Sequence, residues 1–425
     1  MSTSYKIVRK IVSFCFLLLF TCLHTHVSAQ LVNPSLTARF HKQVGNYWLA
    51  HTALYQNLIG SIIAISDSAA KFGLKPGRYH ATALKATRRT DSTSISKNSK
   101  FLTDALITLS KDLYQGSNIR QYISNDEISG KYAARDDSFL ISSLSAIFDQ
   151  TTFNSFISSL EPATEEYQIL KKELAKQLKT NNKKRISELT ASINSYRWIH
   201  HFHFEKHIVV NIPAATLYYF ETESMKLQMK VVTGKPKTRS PRFATWCYEV
   251  VLYPYWNVPP SIGNKELLPK IKKNTALLKE MNMQVLNRND KIIDPAKINW
   301  WRYNSSNFPY RFRQCTGCDN SLGVVKFNLS DPFNVYMHDT NYKLAFLKNT
   351  WFLSHGCIRL EKPIELGNYL LDKKIDTALV NACIKGREPI TLKINEKVPV
   401  FVVYMPAQVS GDSVIYHKDV YHLFK

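Results

Sequence analysis

The feature that most constrains the fold of this 425-residue chain is a change of hydrophobic period near Phe204. Upstream, segments such as "KNSKFLTDALITLSKDL" and "DSFLISSLSAIFDQ" place apolar residues three and four positions apart, which is typical of helices. Downstream, "IVVNIP", "TLYYFE" and "LQMKVVTG" are rich in β-branched and aromatic residues and are separated by turns. The pattern predicts an α+β chain, with a helical domain at 30–204 followed by a β-rich domain at 205–425.

The β pattern is interrupted between residues 258 and 322. Two short helices are predicted there, around "KELLPKIKK" and "NTALLKEM", and a loop with glycine and cysteine follows them. We expect this segment to form an insertion or lid within the β-rich domain. Strands resume at "VVKFNL" and "FNVYMH", and the last segment, 389–425, is predicted to contain strands and a hairpin around "SGDS".

The first 29 residues have the pattern of a signal peptide. Three basic residues precede an apolar run from Ile11 to Leu23, and small residues follow, with a predicted cut after Ala29. An uncleaved anchor is the alternative, but the run is shorter than the roughly 20 residues that a helix needs to span a bilayer. We therefore expect an exported protein of the periplasm or cell envelope.

The chain is strongly basic, with 56 lysine and arginine residues against 33 aspartate and glutamate residues. Removal of the signal, which has three basic residues and no acidic one, leaves a net charge of +20. Such a charge favours polyanionic or carboxylate-rich partners. Export argues against nucleic acid and for an anionic cell wall. The alternative is that the charge is spread over the surface and serves only solubility.

Five cysteines follow the signal: Cys247, Cys315, Cys318, Cys357 and Cys383. An odd number in an oxidising compartment leaves at least one free or intermolecular thiol. Cys315 and Cys318 could form a local disulfide or remain two free thiols, and the disulfide is preferred because free thiols would exchange with a reactive cysteine nearby. A zinc site is disfavoured because no second pair of ligands is evident.

The run "HHFHFEKH" contains four histidines: His200, His201, His203 and His207. His201 and His203 alternate, so they could ligate a metal from one face of a strand. No carboxylate or cysteine stands at a matching spacing. We therefore predict a solvated linker and no metal site.

Cys357 lies in "LSHGCIRLEKP", where Gly356 permits a tight turn, and His338 ends the predicted strand "FNVYMH". A thiol is nucleophilic only as a thiolate, so it needs a base within hydrogen-bond reach and backbone donors for the developing oxyanion. His338 and the turn could supply both. The alternative is an unreactive buried thiol, since free cysteine is among the most buried residue types.

The segment "YMHDTNYKLAFLKNTWFLSHGCIRLEKPIEL" resembles the L,D-transpeptidase family with its YkuD-type catalytic domain. That family has a histidine, a short gap and then Ser/Thr-His-Gly-Cys, which correspond to His338 and 354–357 here. Further segments resemble the larger branch with an N-terminal helical scaffold domain: "VVNIPAATLYYF", "VVTGKPKTRSPRF", "YPYWNVPPSI", "NSLGVVKFNL", "GDSVIYHKDVY" and, more loosely, "LEPATEEYQILKKELA".

The resemblance implies a role for each matching residue. Cys357 would be the nucleophile and His338 its base, oriented by the backbone carbonyl of Asp339. The amides of Gly356 and Cys357 would form the oxyanion hole. Arg359 suits a substrate carboxylate, because a guanidinium can pair with it through two hydrogen bonds. The residues expected to contact the substrate are Tyr336, Ser354, His355 and Arg359. No cofactor and no metal are implied.

The implied reaction is acyl transfer on peptidoglycan. Cys357 would attack the bond before the terminal D-alanine of a donor tetrapeptide stem, and an acceptor amine of a neighbouring stem would resolve the thioester to a 3→3 cross-link. Nucleic acid is not an expected partner, and the membrane is one only if the signal stays uncleaved. The alternatives are an L,D-carboxypeptidase, in which water replaces the amine, and a catalytically silent wall-binding scaffold protein.

Two further observations narrow the expected function. A papain-like peptidase is disfavoured because that class places its cysteine before its histidine, whereas His338 precedes Cys357 by 19 residues. The branch often carries a small peptidoglycan-binding domain, and no glycine-bearing repeat for one is evident between Glu165 and Trp198. Substrate capture is therefore expected to rest on the catalytic cleft, the lid and the positive charge.

Overall fold

A computed structural model describes residues 30–45, 47–50, 52–87, 91–117, 127–147, 149–330 and 333–424. The predicted signal peptide lies outside these ranges. Within them, no helix is both long and apolar enough to cross a membrane. The residues divide into two compact units, one drawn from Met1–Asp67 and Pro76–Thr108 and the other from Ser68–Lys75 and Leu109–Lys425.

In the residues that the structure describes, the regular elements up to His200 are helices, and the first strand begins at Lys206. The predicted order, a helical N-terminal region followed by a β-rich domain, is therefore confirmed. The bounds proposed for the individual domains stay predictions. The helices described in this region are Pro34–Val44, Tyr47–Ala50, Thr52–Asp67, Ala81–Lys85, Ser92–Gln115, Glu127–Ser145, Gln150–Ser159, Glu165–Lys179 and Lys183–His200, with 3₁₀ turns at Ala69–Phe72 and Pro76–Arg78.

In the first unit, the buried carboxylate of Asp104 connects three segments of chain. It accepts hydrogen bonds from the backbone N–H groups of Val32 at 2.9 Å and Asn33 at 2.7 Å, and its Oδ2 lies 2.7 Å from His80 Nε2. Burial alone would raise the pKa of Asp104, but the contact with His80 and the backbone donors lower it overall. A buried charge with these partners stabilises the unit, whereas an unpaired one would destabilise it.

In the second unit, helices Glu165–Lys179 and Lys183–His200 form a hairpin. The two helices are separated at "TNNKK", where Asn181 has a φ of +50° and Asn182 Oδ1 caps the next helix by accepting from Arg185 N at 3.2 Å. Leu170 and Leu174 lie on the buried face of the first helix, four residues apart. That face packs against the C-terminal β-hairpin through Ala407.

The strands, in chain order, are β1 (Lys206–Asn211), β2 (Thr216–Glu221), β3 (Ser224–Gly234), β4 (Phe243–Leu252), β5 (Trp256–Asn257), β6 (Met283–Leu286), β7 (Ile292–Ile293), β8 (Arg311–Gln314), β9 (Val325–Leu329), β10 (Met337–His338), β11 (Phe352–Ser354), β12 (Ile358–Leu360), β13 (Ile390–Val403), β14 (Ala407–Ser410) and β15 (Ser413–Tyr416). Two of them, β14 and β15, form the hairpin predicted around "SGDS".

The main sheet has the order β11-β3-β12-β10-β9-β4-β13-β1-β2. Because β2 also pairs with β3, the strands from β3 to β2 in this order form a closed ring, and β11 adds to the end of β3. Alternate side chains fill the interior, including Val210, Val231, Val250 and Phe327. Two short helices, Pro363–Leu370 and Thr377–Asn381, contribute Leu366 and Val380 to the same core.

A second sheet, with the order β5-β8-β6-β7, lies between β4 and β9 in the chain. It has its own core, in which the rings of Trp300, Phe308 and Phe312 stack. The short helices of this segment are Pro260–Ile262, Leu268–Lys273 and Leu277–Glu280, with a π-helical turn at Gly263–Leu267 and 3₁₀ turns at Pro295–Lys297 and Trp300–Arg302. We call this segment, Trp256–Gln314, the inserted subdomain.

The expected disulfide between Cys315 and Cys318 is wrong. Cys318 instead bonds to Cys383, with the two Cα atoms 5.1 Å apart, and Cys315 is a free thiol. The reason is tertiary packing, because the loop around Thr316 is hydrogen-bonded to the segment after Cys383. Thr316 Oγ1 donates to the carbonyl of Arg387 at 2.7 Å, and the carbonyl of Thr316 accepts from Gly386 N at 3.3 Å.

Replacement of Cys383 with serine is expected to lower the free energy of unfolding, because the bond closes a 65-residue segment. Loss of a native disulfide typically costs about 2–5 kcal/mol. Calorimetry without reductant would measure the fall in Tm. Cys315→Ser is the matched control and should unfold at the wild-type Tm. A lower Tm for Cys315→Ser than for Cys383→Ser would instead support a local disulfide between Cys315 and Cys318.

Candidate active site

The site lies on β10 and β12, which are parallel neighbours. Their register pairs Met337 with Ile358 and His338 with Arg359. Met337 and Ile358 are fully buried in the core of the ring. Because side chains alternate along a strand, His338 and Arg359 face away from that core. Cys357 directly precedes β12, and the adjacent N–H, of Ile358, donates to the carbonyl of Tyr336 at 3.1 Å.

His338 is 4% exposed, and its Nδ1 hydrogen-bonds to the backbone carbonyl of Asp339. A carbonyl can only accept, so Nδ1 carries the ring proton and Nε2 has the free lone pair. Burial, and then the charge of Arg359, lower the pKa of His338 to about 3, against the opposing contact with Asp339. The ring is therefore neutral at neutral pH, and its role as the base for Cys357 stays a prediction.

The position of Asp339 is fixed from several sides. Its Oδ2 accepts from Val324 N at 3.1 Å, and its Oδ1 forms an ion pair with Lys343. Gly323 lies directly against this carboxylate, so a Cβ there would overlap it, and the φ of +60° at Gly323 also favours glycine. The predicted orienting carbonyl thus sits in a rigid environment.

The turn before β12 is organised by Ser354. Its Oγ accepts from Gly356 N at 3.1 Å and donates to the carbonyl of Cys357 at 2.6 Å. Gly356 has a φ of +123°, which side chains rarely adopt. The N–H of Gly356 is engaged by Ser354 here, so its predicted oxyanion role requires that this hydrogen bond opens. That role stays a prediction.

The loop at 234–240, which begins with the last residue of β3, contacts this turn through hydrogen bonds. Lys235 N and Thr238 Oγ1 both donate to the carbonyl of Ser354, at 3.1 and 3.0 Å, and Ser240 Oγ donates to the carbonyl of Gly356 at 2.7 Å. The sequence predicted only that this loop resembles the corresponding segment of the family. Its signal was the glycine- and threonine-containing "TGKPKTRS", which marks a turn but does not reveal its partner.

The C-terminal segment supports this loop through Tyr421. The Tyr421 hydroxyl donates to the carbonyl of Gly234 at 2.8 Å and accepts from Ser240 N at 3.1 Å. Tyr421 is 2% exposed and lies far from the cysteine in sequence. No sequence pattern predicted its position, because only the packing of the C-terminal segment on the sheet brings it to the turn.

Two cations flank Cys357. Arg359 is half-buried, and within the described chain its Nε has no hydrogen-bond partner. Lys326 of β9 pairs in register with His338, and its Nζ lies 4.5 Å from the ring centroid of Tyr336. Burial lowers the pKa of both side chains, and the nearby Cys357 opposes that shift in each case. The sequence did not predict a role for Lys326. The only indication in the sequence was a lysine between two apolar strand residues in "VKF".

Two more predicted residues have distinct positions. Tyr336 hydrogen-bonds to Cys357 and to Trp256 of the inserted subdomain, and burial raises the pKa of its hydroxyl. Its ring lies 5.7 Å from that of His338, edge to face. His355 is exposed and its Nε2 lies 3.0 Å from Glu266 Oε1, so it joins the turn to the inserted subdomain.

The prediction of a solvated histidine linker is wrong in part. His201 is 4% exposed, and its Nε2 lies 3.4 Å from Asp136 Oδ2. His200 is half-buried and stacks on Tyr196, and burial lowers its pKa. Helix packing draws these rings inward, which their spacing could not reveal. In the described part of the chain, no three His, Cys, Asp or Glu residues are grouped to hold a metal.

Comparison with known proteins identifies two domains. Residues 205–396 match the YkuD family, described as an L,D-transpeptidase catalytic domain, and residues 40–174 match the Scaffold domain family. A curated protein of Haemophilus influenzae, named as a candidate L,D-transpeptidase, is 30% identical over 314 residues, which cover 73% of this chain and 63% of that protein. The chain thus spans less than two thirds of that relative.

Solved structures give weaker similarity. The L,D-transpeptidase of Mycobacterium smegmatis is 15% identical, with 47% of this chain and 58% of that chain covered at a TM-score of 0.21. L,D-transpeptidase 1 of Mycobacterium tuberculosis is 14% identical, with 47% and 61% covered at a TM-score of 0.19. The chain thus contains an L,D-transpeptidase catalytic domain of the YkuD family at 205–396 and a Scaffold domain at 40–174.

Proposed function

We propose that this protein is a peptidoglycan L,D-transpeptidase that forms 3→3 cross-links through a thioester on Cys357. One observation carries the proposal. A single face beside β10 and β12 presents the cysteine, a neutral histidine of defined tautomer and a guanidinium whose Nε has no hydrogen-bond partner among the described residues. A nucleophile, a base and an anion-binding group are what acyl transfer on a carboxylate-bearing peptide requires.

The first half-reaction releases D-alanine. The thiol proton of Cys357 passes to Nε2 of His338, and the sulfur attacks the carbonyl carbon between the third stem residue and the terminal D-alanine. The tetrahedral oxyanion is stabilised by backbone N–H groups of the turn. When the C–N bond breaks, the leaving amine takes the proton from His338, and the acyl group remains on Cys357 as a thioester.

The second half-reaction restores the enzyme. An acceptor amine from a neighbouring stem attacks the thioester carbonyl and gives its proton to His338. The C–S bond then breaks, and the Cys357 sulfur recovers its proton. Attack by water instead yields a tripeptide, which is the L,D-carboxypeptidase alternative. A neutral His338 suits both steps, because it accepts a proton from each nucleophile and returns it to each leaving group.

The two cations are proposed to serve the negative charges of this cycle. Arg359 would pair with a carboxylate of the donor stem, and Lys326 would favour the thiolate form of Cys357 across the Tyr336 ring. Neither interaction needs a metal ion or cofactor.

We further propose that the protein acts in the periplasm or cell envelope, where its substrate lies. The Cys318–Cys383 disulfide supports an oxidising compartment. The partners would be the donor tetrapeptide and the acceptor amine. Nucleic acid and membrane have no role in this proposal beyond the signal segment.

Incubation of the purified protein with defined tetrapeptide muropeptides is expected to give 3→3 dimers, or tripeptides plus D-alanine, by mass spectrometry. Cys357→Ala should abolish both products, because the proposed thioester forms on the sulfur that this change removes. Cys315→Ala is the matched control, a free thiol outside the site, and should keep full activity. Absence of both products in the wild type, with no difference from Cys357→Ala, would leave the silent wall-binding protein as the better account.

Arg359→Ala is expected to lower kcat/KM for stems with a free donor carboxylate by roughly thirtyfold, since a charge-assisted hydrogen bond contributes about 2 kcal/mol. Alkylation of the Cys357 thiol by iodoacetamide should continue in this variant. A donor with an amidated carboxyl terminus is the matched control, and wild type and variant should turn it over at similar rates. Loss of turnover together with loss of alkylation would indicate misfolding instead.

The ring of His338 is expected to stay neutral through the physiological range. Its pKa in the folded protein, about 3, lies below the ordinary value of 6.5, so only the unfolded chain binds this proton between the two values. This contribution to stability is complete above the ordinary value and is lost as the pH falls toward the lower one.

NMR titration of ¹⁵N-labelled histidine, with His338→Gln to assign the signal, would measure this pKa. Lys326→Met should raise it, because one neighbouring cation is removed. Lys393→Met, which removes an exposed lysine of β13, is the matched control and should not change it. A His338 pKa near the ordinary value in the wild type would contradict the neutral-base mechanism.

A further inference from the structure

A second cleft, of about 430 Å³, lies in the same compact unit as Cys357 but shares none of the site residues described above. Four separate segments form it: helix Glu127–Ser145, the connection 203–206, strand β4 and the part of β13 at 396–399. Its volume is within the usual range of small-ligand sites. We call it the β4–β13 cleft.

Three aromatic side chains form one wall of the β4–β13 cleft. The rings of Tyr132 and Phe204 lie 5.6 Å apart, edge to face, and those of Phe204 and Trp246 are also 5.6 Å apart. All three rings are half-buried, so each keeps some surface toward solvent. Lys131 extends along this wall, with its Nζ 5.2 Å from the ring of Trp246. The wall therefore offers apolar ring surface together with a hydrogen-bond donor.

Charges of both signs surround the aromatic wall. Glu205, Glu396, Lys397 and Lys206 are exposed at its edge. Lys206 lies 3.8 Å from Glu221, whereas Glu205, Glu396 and Lys397 form no ion pair or side-chain hydrogen bond with another described residue. The two carboxylates would repel a polyanion, and the lysines would repel a polycation. The edge thus suits an uncharged ligand with several hydroxyl or amide groups.

The backbone around the β4–β13 cleft departs from regular geometry at two independent points. His203 has a φ of +53°, which disfavours any residue with a side chain. The register of β13 against β4 shifts between Lys393 and Val398, which carries Glu396 and Lys397 to the cleft edge. Bulges and strained residues concentrate at functional sites, because regular pairing would not aim these side chains at a common point.

We propose that the β4–β13 cleft binds an N-acetylated amino sugar of the peptidoglycan glycan strand. The C–H face of a sugar ring would pack on Trp246 and its neighbours, and the hydroxyl and acetamido groups would hydrogen-bond to the lysines and carboxylates at the edge. This inference rests on the proposed function, because the glycan strand carries the stem peptides on which Cys357 would act.

Binding at this cleft would supply substrate capture, for which the sequence between Glu165 and Trp198 shows no glycine-bearing binding repeat. A glycan held there places its own stem peptides at a raised effective concentration near the same domain's catalytic turn. The free energy would come from ring packing and from hydrogen bonds to a ligand that carries no net charge. The interaction should therefore weaken little with salt, unlike capture by general positive charge.

Isothermal titration with N-acetylglucosamine tetramer tests the proposal without requiring catalysis. The wild type and Cys357→Ala are expected to bind it equally. Trp246→Ala should weaken binding about tenfold or more, because a loss of about 1.4 kcal/mol of ring packing corresponds to a tenfold change. Trp301→Ala, which removes a tryptophan that is 75% exposed in the inserted subdomain, is the matched control and should bind as the wild type does.

A double variant, Glu396→Gln with Lys397→Gln, covers the case in which Trp246→Ala fails to fold. It changes only exposed side chains and should also weaken binding of the tetramer. Absence of wild-type binding would overturn the proposal, as would equal binding by wild type and both cleft variants. Binding of a sugar-free stem peptide at this cleft in place of the tetramer would also overturn it. Binding without any muropeptide turnover would instead refute the proposed catalytic function alone.

Discussion

The parallel pairing of β10 with β12 is the contact on which the candidate site depends. It brings together two segments that are separated by a 3₁₀ turn, at Lys343–Leu347, and by strand β11. The register buries Met337 and Ile358 and so directs His338 and Arg359 to the other face. A shift of one residue would exchange the buried and outward sets. The hydrophobic core therefore fixes the geometry of the chemistry, because its apolar side chains tolerate only one register.

The surrounding structure keeps this small pair of strands rigid. The loop at 234–240 hydrogen-bonds the carbonyls of Ser354 and Gly356, and Tyr421 secures that loop from the C-terminal segment. On the histidine side, Gly323 gives Asp339 the space it needs. Such support matters because catalytic groups lose efficiency when they move by fractions of an ångström. The inserted subdomain touches the same turn through Glu266 and His355, so its position and that of the turn are connected.

The electrostatics of the site differ from a simple thiolate and imidazolium pair. Burial and the positive charge of Arg359 depress the pKa of His338, which leaves the imidazole neutral. Positive charge is provided instead by side chains of β9 and β12, Lys326 and Arg359. In the proposed mechanism, this arrangement leaves His338 available to take a proton from either nucleophile, since its Nε2 is not already protonated.

The sequence by itself determined the order of helical and β-rich regions, because hydrophobic period is a local property that survives without knowledge of contacts. It also identified Cys357, His338 and Asp339 as a set, through a motif in which residue types stand at fixed positions. It could not find Lys326, Tyr421 or the β4–β13 cleft, whose residues come from distant segments. It also misassigned Cys318, since proximity in sequence favoured Cys315 whereas the packed loop faces Cys383. Only the tertiary structure decides such pairings, because they depend on which segments the common core brings within a few ångströms of one another.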